Sequence, residues 1–115
     1  MSTITYFTKK QLEIERLIIN MGFKVRAEVD IEQYRADLFI NELSLIIEID
    51  GPSHRKLKKE GKLVNSIESA MNKRDKILLQ YAPSGIWHIP VDIEDDIFEE
   101  EFKKILGKIN EKWVR

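Results

Sequence analysis

The hydrophobic and polar positions at the start of the chain predict a helix followed by a strand. Apolar residues recur at helical spacing up to Gly22, which is suited to end a helix. Thr8 and the glutamine three positions later have the spacing of a capping box, so we expect the helix over 9–21. Apolar and polar residues then alternate over 23–29, which predicts a half-buried strand.

The middle of the chain predicts two more strands and an irregular basic segment. Strands are expected over 34–40 and 45–50. The second is apolar apart from its two acids, which is typical of a central strand covered on both faces. Gly51 and Pro52 end it. The basic stretch 53–62 shows no clear period, so we expect a mobile loop or a loosely held helix start there.

The last part of the chain predicts a helix, a strand and a helix, over 63–81, 86–91 and 95–113. The first of these helices is expected to turn one set of residues inward: Leu63, Ile67, Ala70, Met71, Ile77 and Leu78. The resulting order, α-β-β-β-α-β-α, predicts an α/β fold with a mixed central sheet of about four strands flanked by helices.

Size and composition fit a single domain over residues 1–115. With 43% hydrophobic residues the chain can bury a core without a metal or disulfide framework. It contains no cysteine, which is compatible with a reducing compartment, so we expect a cytoplasmic protein. No apolar run approaches the roughly 20 residues of a transmembrane helix, and the N-terminus lacks the apolar core of a signal peptide.

The net charge of −1 conceals two segments of opposite sign. Residues 51–76 contain eight Lys or Arg and three acids, whereas residues 92–101 contain seven acids and no base. The acidic segment starts the last helix, where negative charge suits the helix dipole, so we assign it no function. The basic segment could hold the phosphates of a nucleic acid. Its candidate contacts are Arg55, Lys56, Lys58, Lys59, Lys62, Lys73 and Arg74.

An acidic cluster is the strongest candidate for a functional site. A two- or four-residue turn within 41–44 would place Asp37 on the same face as Glu48 and Asp50. The opposite face would then be entirely apolar, which favours an even turn length. Carboxylates this close repel one another, and burial makes the repulsion worse. A hard divalent cation such as Mg²⁺ or Mn²⁺ neutralises them, so the three acids are predicted metal ligands.

Two histidines and a helix glutamate are the other residues to consider beside this cluster. His54 follows Asp50 by four residues and could act as a general base, orient a water or bind the metal. His88 lies on the last predicted strand, and we expect no functional role for it. Glu15 of the first helix could point over the sheet and complete the metal shell, although Glu13 is equally close.

Four segments of the chain together resemble a known pattern: 34–39, 45–54, 72–75 and 85–91. It is that of the PD-(D/E)XK nuclease superfamily, in the branch around the very-short-patch repair (Vsr-like) endonucleases. The Glu-Ile-Asp-Gly-Pro-Ser-His run is especially similar to the RAP domain, an RNA-associated relative. The resemblance covers about residues 8–91 and implies a restriction-endonuclease-like fold.

The resemblance also implies roles for individual residues. Asp37 matches the metal-binding aspartate and Glu48 the second acid of the superfamily motif. Asp50 falls where the usual pattern has lysine, which leaves the water-activating group open. The remaining matches are His54 to a histidine after the strand, Asp75 to an acidic helix residue, and Glu15, more loosely, to a first-helix glutamate, a position that Gln11 or Glu13 matches equally well.

Two functional hypotheses follow from the residues and the resemblance. The first is a Mg²⁺-dependent endonuclease acting on DNA or RNA, with His54 or Asp50 as proton acceptor. Cutting both strands of a duplex would then require a homodimer or two binding events. The second is a RAP-like RNA-binding or RNA-processing module without robust catalysis. The retained acids favour the first, because carboxylates repel phosphates unless a metal intervenes.

Overall fold

The computed structural model describes the backbone of residues 6–52 and 60–113, and the side chains of residues 7–52 and 60–110. Its elements, in chain order, are α1 (Tyr6–Asn20), β1 (Arg26–Ile31), β2 (Tyr34–Ile40), a 3-10 turn (Asn41–Leu43), β3 (Leu45–Asp50), β4 (Lys62–Val64), α2 (Lys73–Tyr81), β5 (Gly85–Pro90) and α3 (Asp95–Trp113). The predicted α/β class is confirmed, with five strands rather than four. None of the helices in these ranges is long and apolar enough to cross a membrane.

The strands form one mixed sheet in the order β1-β2-β3-β5-β4. β3 and β5 are parallel, and every other neighbouring pair is antiparallel. Because parallel strands end at the same edge of a sheet, Asp50 at the end of β3 lies beside Pro90 at the end of β5. Ligands of open α/β sheets bind outside this carboxyl edge, so it is the first place to look for a site.

The connection between β2 and β3 sets the register on which the predicted cluster depends. Leu38 pairs with Ile47 and Ile40 pairs with Leu45, which leaves a four-residue turn. Ser44 ends that turn with φ 52°, in the left-handed region. The even turn length predicted from the sequence is therefore confirmed.

The sheet buries an apolar cluster on each face. One cluster combines the predicted apolar face of β2 and β3 with α1 and α3, and in it Trp87 stacks on Phe98 with 4.9 Å between ring centroids. Its members from β2 and β3 are Leu38, Ile40, Leu45, Ile47 and Ile49. The other cluster packs Leu78 and Leu79 of α2 against Ile46 and Ile86. β3 is thus covered on both faces, as its apolar sequence predicted.

The structure corrects several predicted bounds. The helix over 63–81 is wrong: Lys62–Val64 is a short edge strand, and α2 begins only at Lys73. Ile67 and Met71, predicted to face inward, are 52% and 84% exposed. Serines at 66 and 69 hydrogen-bond each other and the local backbone, which holds a turn in place of a helix.

Smaller corrections concern the first two elements. α1 begins at Tyr6, so Thr8 lies inside the helix and does not cap it. β1 begins at Arg26 because Phe23 and Val25 pack against the main core without pairing in the sheet.

Candidate active site

The carboxyl edge of β3 and β5 carries a cleft next to the start of α2. The cleft is bounded by the ends of the two parallel strands, by β4 and by the residues that lead into α2. The polar residues in its wall are Asp50, Glu60, Lys62, Asn72, Asp75 and His88. The site thus lies where the topology places ligands in an open α/β sheet.

Asp37 and Glu48 are joined across β2 and β3 by two side-chain hydrogen bonds. The backbone N–H of Asp37 donates to Glu48 Oε2 at 2.8 Å, and the backbone N–H of Ile49 donates to Asp37 Oδ2 at 2.8 Å. The paired register of the two strands ends just before this point, at Leu38 and Ile47. Carboxylates therefore bond the backbone N–H groups here, and both acids are held in the sheet.

Burial raises the pKa of both carboxyl groups, and neighbouring acids add to the effect. The charge of Asp37 also raises the pKa of Glu48. The charge of Asp50, followed by that of Glu28, also raises the pKa of Asp37. Hydrogen bonds from the backbone and the charge of Arg74 act in the opposite direction on both groups. The pKa values of Asp37 and Glu48 are therefore raised mainly by burial, with repulsion between the acids as a smaller cause.

Arg74, in the first turn of α2, supplies one cation to this cluster. Its Nη2 contacts Glu48 Oε1 and also donates to the carbonyl of Arg35 at 2.9 Å. Since Glu48 Oε2 already accepts the N–H of Asp37, both oxygens of Glu48 are engaged. The sequence predicted Arg74 as a phosphate contact, whereas in this structure it neutralises a predicted metal ligand.

His88 bridges two acids at the cleft. Its Nδ1 lies 3.1 Å from Asp50 Oδ2, and its Nε2 lies 2.9 Å from Asp75 Oδ2. The hydrogen bond with Asp50, and after it the bond with Asp75, raises the pKa of His88 to about 9, so the ring is an imidazolium at neutral pH. We expected no role for His88 from the sequence. The available signal was a single polar residue in an apolar strand, paired with Glu48.

Asp75 is the buried member of the site, only 3% exposed. It lies in the first turn of α2, where Asn72 Oδ1 caps the helix by accepting the N–H of Asp75 at 2.8 Å. Its Oδ2 faces His88, but its Oδ1 has no hydrogen-bond partner within the described part of the chain. The nearest cation to that oxygen is Arg74 Nη1, at 3.9 Å.

Of the acids considered on α1, Glu15 is half-buried and Glu13 is exposed. Burial raises the pKa of Glu15, and the charge of Glu28 adds to the shift. Glu28 acts on Asp37 as well, so it links Glu15 to the site electrostatically. Glu13 instead forms an ion pair with Lys10 at 3.3 Å. Glu28 was missed because an acid on an alternating strand normally faces solvent.

Apart from Arg74, the predicted basic contacts divide into two groups. Lys62 and Lys73 are exposed, and Lys62 lies in the cleft wall. The others, together with the predicted base, lie outside the described residues: His54, Arg55, Lys56, Lys58 and Lys59.

The carboxylates of the cluster fit Mg²⁺ as a partial coordination shell. Within residues 6–52 and 60–113 there is no group of three or more Asp, Glu or His side chains arranged to hold a metal ion. Mg²⁺, however, commonly uses one or two carboxylates and completes its shell with water and substrate phosphate. Asp37 and Asp50, which interact through their charges, would be that pair. Glu48 would join only by leaving Arg74.

No family model, curated protein or solved structure matches this chain. Only the residues and geometry of the site therefore indicate the function.

Proposed function

We propose that the protein is a metal-dependent nuclease that hydrolyses phosphodiester bonds in nucleic acid, with DNA as the first substrate to test. The observation that carries the proposal is that Asp37 and Glu48 are held together across β2 and β3 by backbone hydrogen bonds, with Asp50 two residues further on at the end of β3. The charge of Asp50 raises the pKa of Asp37, which supports a common electrostatic site for the two. The resemblance to the PD-(D/E)XK superfamily supports the same proposal.

In this proposal Asp37 and Asp50 hold a divalent cation, Mg²⁺ or Mn²⁺. The bound ion would polarise a phosphoryl oxygen and lower the pKa of a water molecule. The chain's own contribution is orientation: the N–H of Ile49 fixes Asp37 Oδ2, and His88 fixes the carboxylate of Asp50. The proton acceptor is either Asp50, whose side chain is 54% exposed, or His54.

The nucleic acid would lie across the cleft, with Lys62 and Lys73 as phosphate contacts. Both side chains are exposed near the carboxyl edge of β5 and the start of α2. Such contacts position a backbone without reading its sequence. Three acids line the cleft, so a phosphate approaches only when a cation offsets their charge.

A second candidate is a RAP-like module that binds RNA without cleaving it. The contact between Arg74 and Glu48 favours it, because a guanidinium there neutralises an acid that the nuclease proposal uses. An ion pair with a purely structural role would show the same contact between an arginine and an acid.

A cleavage assay separates the two candidates. The full chain is incubated with Mg²⁺ or Mn²⁺ and labelled single- and double-stranded DNA and RNA, beside Asp37→Ala and Asp50→Ala. Asp95→Ala is a matched control, since Asp95 is an exposed acid at the start of α3. We expect the parent and the control to cut and the two site variants to lose cleavage.

The nuclease proposal fails if no substrate is cut, or if the site variants cut as well as the parent. A binding module would instead retain nucleic acid in EDTA and release it as the salt concentration rises.

A further inference from the structure

Arg74 lies between two acids but contacts only one of them closely. Nη2 contacts Glu48 Oε1, whereas Nη1 lies 3.9 Å from Asp75 Oδ1, beyond hydrogen-bond distance. Asp75 Oδ1 is buried and finds no hydrogen-bond partner within the described residues. A buried carboxylate oxygen without a donor is costly, so Asp75 offers the guanidinium a second position.

The charge of Arg74 acts on the whole acidic cluster. It lowers the pKa of both Asp37 and Glu48, against the effect of burial. A guanidinium does not lose its proton in proteins, so its positive charge leaves the cluster only if the side chain moves. A divalent cation at the same acids would repel it strongly at such short range.

The surroundings of Arg74 permit that movement. Its side chain is 29% exposed, and the guanidinium carbon lies 5.9 Å from the centre of the Tyr34 ring. The guanidinium already lies near both acids, so exchanging Glu48 for Asp75 needs only a short movement, in which Nη2 would also leave the carbonyl of Arg35.

We infer that Arg74 and a divalent cation compete for Glu48, and that the displaced guanidinium moves to the unpaired oxygen of Asp75. Arg74 is then a positioning residue: it holds Glu48 until the metal arrives, and it satisfies Asp75 afterwards. This inference rests on the proposed function, because it adds Glu48 to Asp37 and Asp50 as a ligand of the same cation.

The test is the affinity of the full chain for Mn²⁺, measured by the loss of the free-ion EPR signal. Parent, Arg74→Gln, Arg74→Lys and Lys76→Gln are compared. Lys76→Gln is the matched control, because it removes the same charge from an exposed position of the same helix. Arg74→Gln is expected to bind Mn²⁺ roughly fivefold more tightly than the parent, the gain that corresponds to losing one modest ion pair.

The control should stay within about twofold of the parent, as screened surface charges do. Arg74→Lys should lie between the parent and Arg74→Gln, since lysine keeps the charge but lacks the planar fork. A measurement on the parent alone guards against misfolded variants: the Nε–Hε resonance of Arg74 should shift on addition of Mg²⁺.

The outcomes distinguish this inference from the nuclease proposal. If Arg74→Gln binds Mn²⁺ no more tightly than the parent, or if the Arg74 resonance does not move, the competition is refuted even when the parent cuts. Tighter binding by Arg74→Gln without cleavage by any form would support the competition and refute the nuclease proposal. If no form binds Mn²⁺, both fail.

Discussion

At the scale of single residues, the site is a set of carboxylates that are each tied to a particular donor. Asp37 and Glu48 accept backbone N–H groups, Glu48 also contacts Arg74, and His88 joins Asp50 to Asp75. Removing one partner of a buried ion pair costs more than the pair itself contributes, because the other charge is left uncompensated. The acids and their partners should therefore be studied as pairs.

The stability of the protein should depend on pH through His88. Its pKa is raised from 6.5 to about 9 by Asp50 and Asp75. A raised pKa means that the folded state holds the proton more tightly, so the stabilisation is fully present below pH 6.5 and is lost as the pH rises through about 9. We expect the free energy of unfolding in urea, with EDTA present, to fall by about 1–3 kcal/mol over that interval.

His88→Gln is the comparison for this pH dependence. Glutamine keeps a hydrogen-bonding side chain but does not titrate. The free energy of unfolding of His88→Gln should therefore be nearly constant between pH 6.5 and 9. Equal slopes for the parent and His88→Gln would contradict the assignment, as would an NMR titration of His88 with a midpoint near its ordinary value.

At the scale of elements, the long periodic segments were predictable and the short ones were not. β2, β3 and α3 were predicted with the bounds that the structure shows, since each has a clear apolar pattern. β4 has only three residues, too few to establish a period, and it exists because it pairs with β5. The predicted helix over 63–81 failed because local serine hydrogen bonds and the Asn72 cap delay its start.

The same contrast applies to the site. The pairing of Asp37 with Glu48 was predictable, because side-chain alternation and an even turn determine which face each acid occupies. The contacts of His88 and Arg74 were not, because both depend on how α2 docks against β5. Tertiary placement of this kind leaves no local signal in the sequence.

Gly61 offers a test of how β4 is attached to the sheet. A Cβ at this position would lie 2.3 Å from Trp87 Nε1 and 2.8 Å from the carbonyl of His88. The N–H of Gly61 also donates to Glu101 of α3 at 2.9 Å. Gly61→Ala should therefore lower the free energy of unfolding by about 1–3 kcal/mol, as overpacking does, measured by chemical denaturation.

Gly107 is the matched control, because it lies in α3 with no atom within 4 Å of an added Cβ. Gly107→Ala should raise the free energy of unfolding by about 0.5–1 kcal/mol, since alanine is the better helix former. A neutral Gly61→Ala would show that β4 does not pack as closely against β5 as described.

At the scale of the whole molecule, the charge is nearly balanced, so the proposed contact with nucleic acid depends on local charge. The net charge is −1, and the cleft wall carries Lys62 beside its acids. The acids oppose the approach of a phosphate, and a divalent cation bound to them would offset their charge.

This balance predicts that removing a negative charge from the site improves the binding of nucleic acid in the absence of metal. In EDTA, Asp50→Asn should bind a labelled oligonucleotide more tightly than the parent by a few-fold, because one repulsive charge is gone. Asp95→Asn, which alters an exposed acid of another element, should bind as the parent does. The measurement is fluorescence anisotropy at fixed salt, and weaker binding by Asp50→Asn would contradict the electrostatic argument.

The central claim is that Asp37 and Asp50 share a divalent cation, and crystals soaked in Mn²⁺ test it most directly. The account predicts an anomalous density peak about 2.1 Å from one oxygen of each carboxylate, the distance of an octahedral oxygen-bound ion. Arg74 should then have moved from Glu48 toward Asp75. No peak at saturating Mn²⁺, with the guanidinium still on Glu48, would contradict the claim and leave an ion-paired acidic cluster with a structural role.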